Sequence, residues 1–171
     1  VRELAPEVEL IRSDALSKKF RAIKTPEEVA RLRESGRIAE RSILAALEGL
    51  QEGESEADLA LRFHGRTVAD GAFPVLGCIG FSERGALPNV DPSPHRKLKR
   101  GDTIRFDVGG RYRHYRADIA RIASFGEPSD RARKSHHAVQ AGIGRAYEII
   151  RPGLPASTLF KEIMGTVRKS G

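Results

Sequence analysis

Asp107 and Asp118 are the two residues of this chain whose type and surroundings suit them best for chemistry. Asp107 follows the apolar alternation of Ile104 and Phe106, which reads as the end of a half-buried strand. Gly109 and Gly110 break that strand, and Tyr115 to Ile122 resumes as a second one. Antiparallel pairing about a turn centred on Tyr112-Arg113 places Asp107 directly opposite Asp118 on one face, with β-carbons roughly 4.5–5.5 Å apart. Like charges so placed destabilise a sheet, so such a pair usually has a cation between its members. Carboxylate oxygens suit hard or borderline divalent ions such as manganese, with cobalt or zinc once imidazole joins. A slip of one residue would send one carboxylate to the other face and remove the site. The competing reading is that each Asp satisfies a turn or pairs with a nearby arginine.

The elements that must position this pair can be read in order. Val8 to Ile11 has strand character, and residues 1–20 as a whole read as a connecting tail. Thr25-Pro26-Glu27-Glu28 starts a helix: Thr25 can cap it, Pro26 suits its first position, and the glutamates favour its positive end. Val29, Leu32, Gly36, Ala39, Ile43, Ala46 and Leu50 give it one buried stripe, with Gly49 and Gly53 as stops. Ser55-x-x-Asp58 resembles a capping box for a second helix to about Asp70, with Leu59, Phe63 and Val68 facing inward. Phe73 to Phe81 is a buried strand, followed by an exposed loop rich in proline, glycine and charge. Ile119 to Phe125 completes the sheet. Ser129 starts a long helix to about Ile150 whose inner face is Ala132, Val139, Ile143, Ala146, Tyr147 and Ile150, and Pro155 to Lys169 forms a last one. Helices, strands, then helices is an α+β order, with an antiparallel sheet packed by helices.

Composition bounds the reading. The chain has 171 residues, 39% apolar and 31% charged, which suits one soluble globular domain. No apolar run approaches the roughly 18 residues of a membrane span. The single cysteine, Cys78, forms no internal disulfide, suits a reducing cytoplasm, and reads as a buried inert thiol. Most of the net charge of +7 comes from residues 101–171. Such an excess could favour an anionic substrate terminus or nucleic acid, although a solvated surface is the commonest cause. Gly142-x-Gly144 lies inside a helical pattern with no strand before it, and so is no nucleotide fingerprint.

The order Gly101-Asp102, Asp107-x-Gly109, then Tyr115-x-x-Asp118-Ile119-x-Arg121 resembles the pita-bread metallopeptidases. That group comprises methionine aminopeptidases, Xaa-Pro aminopeptidases, prolidases and creatinases, and the Xaa-Pro peptidase and prolidase branch is the nearest in pattern. The resemblance implies half of a pita-bread fold, with residues 21–171 as the first half of a catalytic domain and residues 1–20 as a linker from an upstream domain. It implies two divalent metal ions, with Asp107 holding one and Asp118 bridging both, and a water activated between them to attack a peptide bond before proline. The family's remaining ligands, a histidine and two glutamates, have no matching motif here, so the chain by itself is expected to be inactive. Arg121 matches a family arginine and is expected to pair with a carboxylate. In the loop, Ala86-Leu87-Pro88-Asn89 stands where prolidase-like members have Ala-Leu-Pro-His. Asn89 would contact substrate but cannot act as a proton donor near neutral pH.

The implied partner is a peptide substrate, with a homo-oligomeric, cytoplasmic assembly and neither membrane nor nucleic acid. Two other functions fit the same residues: a creatinase-like hydrolase of a small C–N substrate, and a pita-bread scaffold that binds protein or nucleic acid without catalysis. The remaining histidines are expected in bland roles, His95 and His114 as solvated loop and turn residues, His64 as packing or surface, and His136-His137 as a poor chelating pair.

Overall fold

Two capping boxes set the helices that cover the sheet. Thr25 and Glu28 exchange backbone and side-chain hydrogen bonds at the start of α2 (Pro26–Leu47), and Ser55 and Asp58 do the same for α3 (Glu56–Ala69). The computed structural model describes residues 12–171, so the strand character read at Val8 to Ile11 lies outside the described residues. Before α2, the short α1 (Asp14–Ala22) buries no side chain. The sheet is antiparallel throughout, built from β1 (Phe73–Phe81), β2 (Thr103–Tyr112), β3 (Tyr115–Arg116) and β4 (Ile119–Ser124). Strand β2 is central, with β1 along one edge and β3 and β4 along the other.

Burial alternates along β2. Ile104, Phe106 and Val108 are buried, while Arg105 and Asp107 between them are half-buried. The buried set meets Ile43 and Ala46 of α2 and Leu59, Ala60 and Phe63 of α3, with Ile79 and Phe81 from β1. The helices therefore cover one face of the sheet, and strand periodicity sends Asp107 to the other.

Three expectations need correction. First, Gly109 and Gly110 do not end the strand, because β2 runs through both to Tyr112. Second, the inner stripe of α2 contains Ser35, Ile38 and Ser42 alongside Ala39, Ile43 and Ala46, whereas Val29 is exposed. The serines can be buried because their hydroxyls are used: Ser42 donates to Ile38 O at 2.8 Å and Ser35 to Gly110 O at 2.9 Å. Val68 on α3 is likewise exposed. Third, α4 (Asp130–Ile149) and α5 (Ala156–Ser170) pack chiefly on each other. Only Ala138 and Gly142 of α4 are buried, and Val139, Ile143, Tyr147 and Ile150 form an exposed apolar stripe. The helices cross at Gly142, where a β-carbon would stand 2.5 Å from Val167 Cγ2.

Asp102 locks the loop that leads into β2. Its carboxylate accepts from Arg96 at 2.8 and 3.0 Å, from Ser82 Oγ at 2.8 Å and from Lys99 N at 2.8 Å. Burial opposes its ionisation, but the hydrogen bonds from Arg96, Ser82 and Lys99 outweigh that and hold its pKa below the ordinary 3.8. A carboxyl depressed by folding contributes stability that is complete above the unfolded pKa near 4 and is lost as pH falls through the folded value. Asp102→Asn is therefore expected to be less stable than wild type at pH 7, with the gap closing as pH falls below about 4. Urea unfolding at pH 7 and pH 3 checks this, and a gap unchanged at pH 3 would refute it.

Candidate metal centre

The hairpin tip decides where the two aspartates meet. Tyr112 pairs with Tyr115, so the two-residue turn is Arg113-His114, one position later than the sequence pattern predicts. Both turn residues have positive φ, 44° and 73°, as a type I′ hairpin requires. Neither is Gly, Asn or Asp, so the turn has no compositional mark. The consequence runs down the ladder: Asp107 faces Ala120, not Asp118. Asp118 lies two residues before Ala120, between β3 and β4, so the aspartates are diagonal rather than directly opposed. A shift of two keeps face parity, and diagonal neighbours stand about 7–8 Å apart at Cα. The expected opposition is thus corrected, and parity counted back from Ala120 keeps Asp118 on the Asp107 face.

Close backbone approach holds Asp118 in place. A β-carbon on Gly109 would collide with Ala117 O, and would lie 3.5 Å from Asp118 Cα. Ala117 N donates to Gly110 O at 3.0 Å and to Ser35 Oγ at 3.1 Å, which pins the break between β3 and β4 just before Asp118. Ser35 is a residue that pattern reading missed, since a serine on a helical stripe carries no signal of its own.

Arg105 was missed as well, although strand parity could have found it two residues before Asp107. Its guanidinium pairs with Asp107 Oδ2 through Nη2, while Nη1 donates to Leu87 O at 2.9 Å. The competing reading, an aspartate paired with an arginine, therefore holds for one carboxylate oxygen of Asp107. Asp118 is exposed, and among the described residues its carboxylate has no hydrogen bond or ion pair. Asn89 is exposed two residues beyond Leu87, with φ 50°.

Cys78 faces Asp107 across β1 and β2, and its thiol reports the charge of this face. Burial pushes the thiol pKa up, Asp107 adds to that, and Asp91 and Asp118 act in the same direction while Arg105 opposes them. Asp107 and Asp118 thus both lie near enough to this thiol to act on it. Among the described residues no three His, Cys, Asp or Glu converge on one point, so Asp107 and Asp118 fit as part of a metal shell rather than a whole one.

The other singled-out residues lie elsewhere. Arg121 pairs with Glu40 of α2, as expected of a structural arginine. His64 packs beside Gly77 and edge-on to Phe63, and burial lowers its pKa. His95 and His114 are exposed, and His136 and His137 are exposed neighbours on α4.

The chain is similar to known proteins along most of its length. Over 155 residues the chain is 32% identical to the Xaa-Pro dipeptidase of Pyrococcus furiosus, covering 88% of this chain and 44% of that protein. The crystal structure of X-Pro aminopeptidase from Thermotoga maritima superposes with a TM-score of 0.91 at 27% identity, covering 99% of this chain and 49% of that one. Prolidase from Pyrococcus furiosus gives a TM-score of 0.84 at 31% identity, covering 92% and 47%. The chain spans less than half the length of these relatives and has half of their pita-bread fold. Residues 30–171 match metallopeptidase family M24, and the chain belongs to that family.

Proposed function

We propose that residues 21–171 form the N-terminal half of the catalytic domain of a metal-dependent exopeptidase that cleaves the peptide bond before proline. The support for this reading is that Asp107 lies on the sheet face the helices leave open, with strand parity counted back from Ala120 putting Asp118 on the same face. In this reading the two aspartates are ligands to a pair of divalent metals, manganese first, with cobalt or zinc as alternatives. Such a pair supplies Lewis-acid polarisation of the scissile carbonyl and an attacking water of lowered pKa. Arg105 holds Oδ2 of Asp107 and leaves Oδ1 free to coordinate, an outer partner that orients its ligand. Asn89 offers the substrate a hydrogen bond from the loop and no titratable proton. The lone buried thiol suits the cytoplasm, and the substrate is a peptide met by a homo-oligomer.

A second reading is a creatinase-like hydrolase of a small C–N substrate. Asn89 favours it, since a neutral amide replaces the proton-donating imidazole expected from the family pattern.

Titration of the complete gene product with Mn²⁺ is expected to show two ions bound, with release of the residue before proline from an Xaa-Pro peptide. Asp107→Asn and Asp118→Asn are each expected to weaken binding about 100-fold, the upper end of what loss of even an outer-shell partner costs. Two ions bound without peptide cleavage favours the second reading. No binding, or binding indifferent to both substitutions, sinks the metal assignment.

A further inference from the structure

We propose that Glu56 is a positioning residue, holding the loop from Ser82 to Ser93, and with it Asn89, against the Asp107 face. The proposal rests on the assignment of Asn89 to the substrate site. Glu56 opens α3, and its side chain is fully buried. Its Oε1 accepts from Phe81 N at 2.8 Å, and its Oε2 accepts from Arg84 Nε and from Ser93 N, each at 2.8 Å. Phe81 is the last residue of β1 and Ser93 lies at the far root of the loop, so one carboxylate ties both roots together. The second arm of Arg84 donates to Asp91 O at 2.7 Å. From the other side, Arg105 joins Asp107 to Leu87 O. Asn89 therefore sits midway between two anchored carbonyls, those of Leu87 and Asp91. Its φ of 50° is the left-handed conformation that reverses a chain, and Asn tolerates it better than most residues.

A cap does not explain this carboxylate, since Ser55 and Asp58 already cap α3. The ion pair with Arg84 by itself adds little to net stability, so what calls for an acceptor here is the pair of backbone donors, Phe81 N and Ser93 N. What the charge adds is directional bonding to both roots of the loop, the kind of support that a substrate-contacting side chain needs from its surroundings.

The test uses the complete gene product loaded with Mn²⁺. Glu56→Gln keeps the volume but has one acceptor oxygen, so donors at the loop roots go unmet. With an Xaa-Pro dipeptide, kcat/KM is expected to fall about 30-fold, within the range that a displacement of about 1 Å produces. In an Asn89→Ala background the same change should cost less than about threefold, since coupled residues are non-additive. The amides of Ala86, Leu87, Asn89, Val90 and Asp91 should exchange hydrogen at least about tenfold faster, with Mn²⁺ affinity changed less than about twofold. An equal cost in both backgrounds would show a role in the fold alone, and unchanged exchange in the loop would overturn the proposal outright. Arg84→Lys keeps a charge beside Glu56 and loses the reach to Asp91. It should show the same coupling and exchange pattern with an unchanged melting temperature, and it decides the matter if Glu56→Gln does not fold. A wild-type product that cleaves no Xaa-Pro peptide defeats the peptidase reading, while the exchange measurement still tests the role of Glu56.

Discussion

Gly109→Ala is expected to cost about 3 kcal/mol or more, at or above the usual upper limit for overpacking, and to weaken metal binding with it. The added methyl would run into Ala117 O, with Ala117 C at 3.1 Å and Asp118 Cα at 3.5 Å behind it. These are backbone atoms, so no rotamer change relieves the clash. The strand cannot back away cheaply either, since Ala117 N is held by Gly110 O and Ser35 Oγ. Relief must come from moving the break between β3 and β4, which carries Asp118. Gly144→Ala is the control: nothing lies within 4 Å of the added carbon, and Ala is better than Gly in a helix interior by about 0.8–1.0 kcal/mol. Urea unfolding and Mn²⁺ titration of both variants give the comparison. A Gly109→Ala protein with wild-type stability and metal affinity would refute the close approach and its link to Asp118.

Phe106→Ala is expected to cost about 3–5 kcal/mol while leaving metal affinity within about twofold of wild type. Phe106 is fully buried, in register with Ile79 on β1 and Arg121 on β4, and belongs to the same apolar cluster as Ile43 and Phe63. Asp107 is the next residue, yet it points to the other face. Asp107→Asn should behave in the opposite sense, losing metal with little change in stability. Denaturation and calorimetric titration of the two neighbours thus separate what holds the sheet together from what it presents. A Phe106→Ala protein that kept its stability, or lost metal as fully as Asp107→Asn, would contradict this division.

Where side-chain chemistry marks the backbone, the fold could be read from residues alone. Thr25-Pro26-Glu28 and Ser55-Asp58 carry their capping boxes in their types, and the extent of β1 from Phe73 to Phe81 follows from apolar content bounded by turn residues. The turn falls at Arg113-His114, one position past the expected Tyr112-Arg113, because neither residue advertises positive φ. The stripe of Val139, Ile143, Tyr147 and Ile150 has the periodicity of a buried face, but periodicity cannot say what a face meets, and here it is exposed. Of the site, both aspartates and Asn89 stood out in the sequence. Ser35 and Glu56 act through hydrogen bonds to distant backbone and leave no local pattern, whereas Arg105, two residues before Asp107 on the same strand face, is within reach of strand parity.

The ladder between β2 and β4 has a consequence for how such a hairpin can change length. Because Asp118 stays on the face of Asp107 when its partner moves by two positions, pairs of residues can be gained or lost near Arg113-His114 without turning either aspartate away from that face. A single insertion or deletion that slides one strand past the other would turn Asp118 toward the helices. Natural variation at this tip should therefore favour even steps, with odd ones absorbed by a bulge.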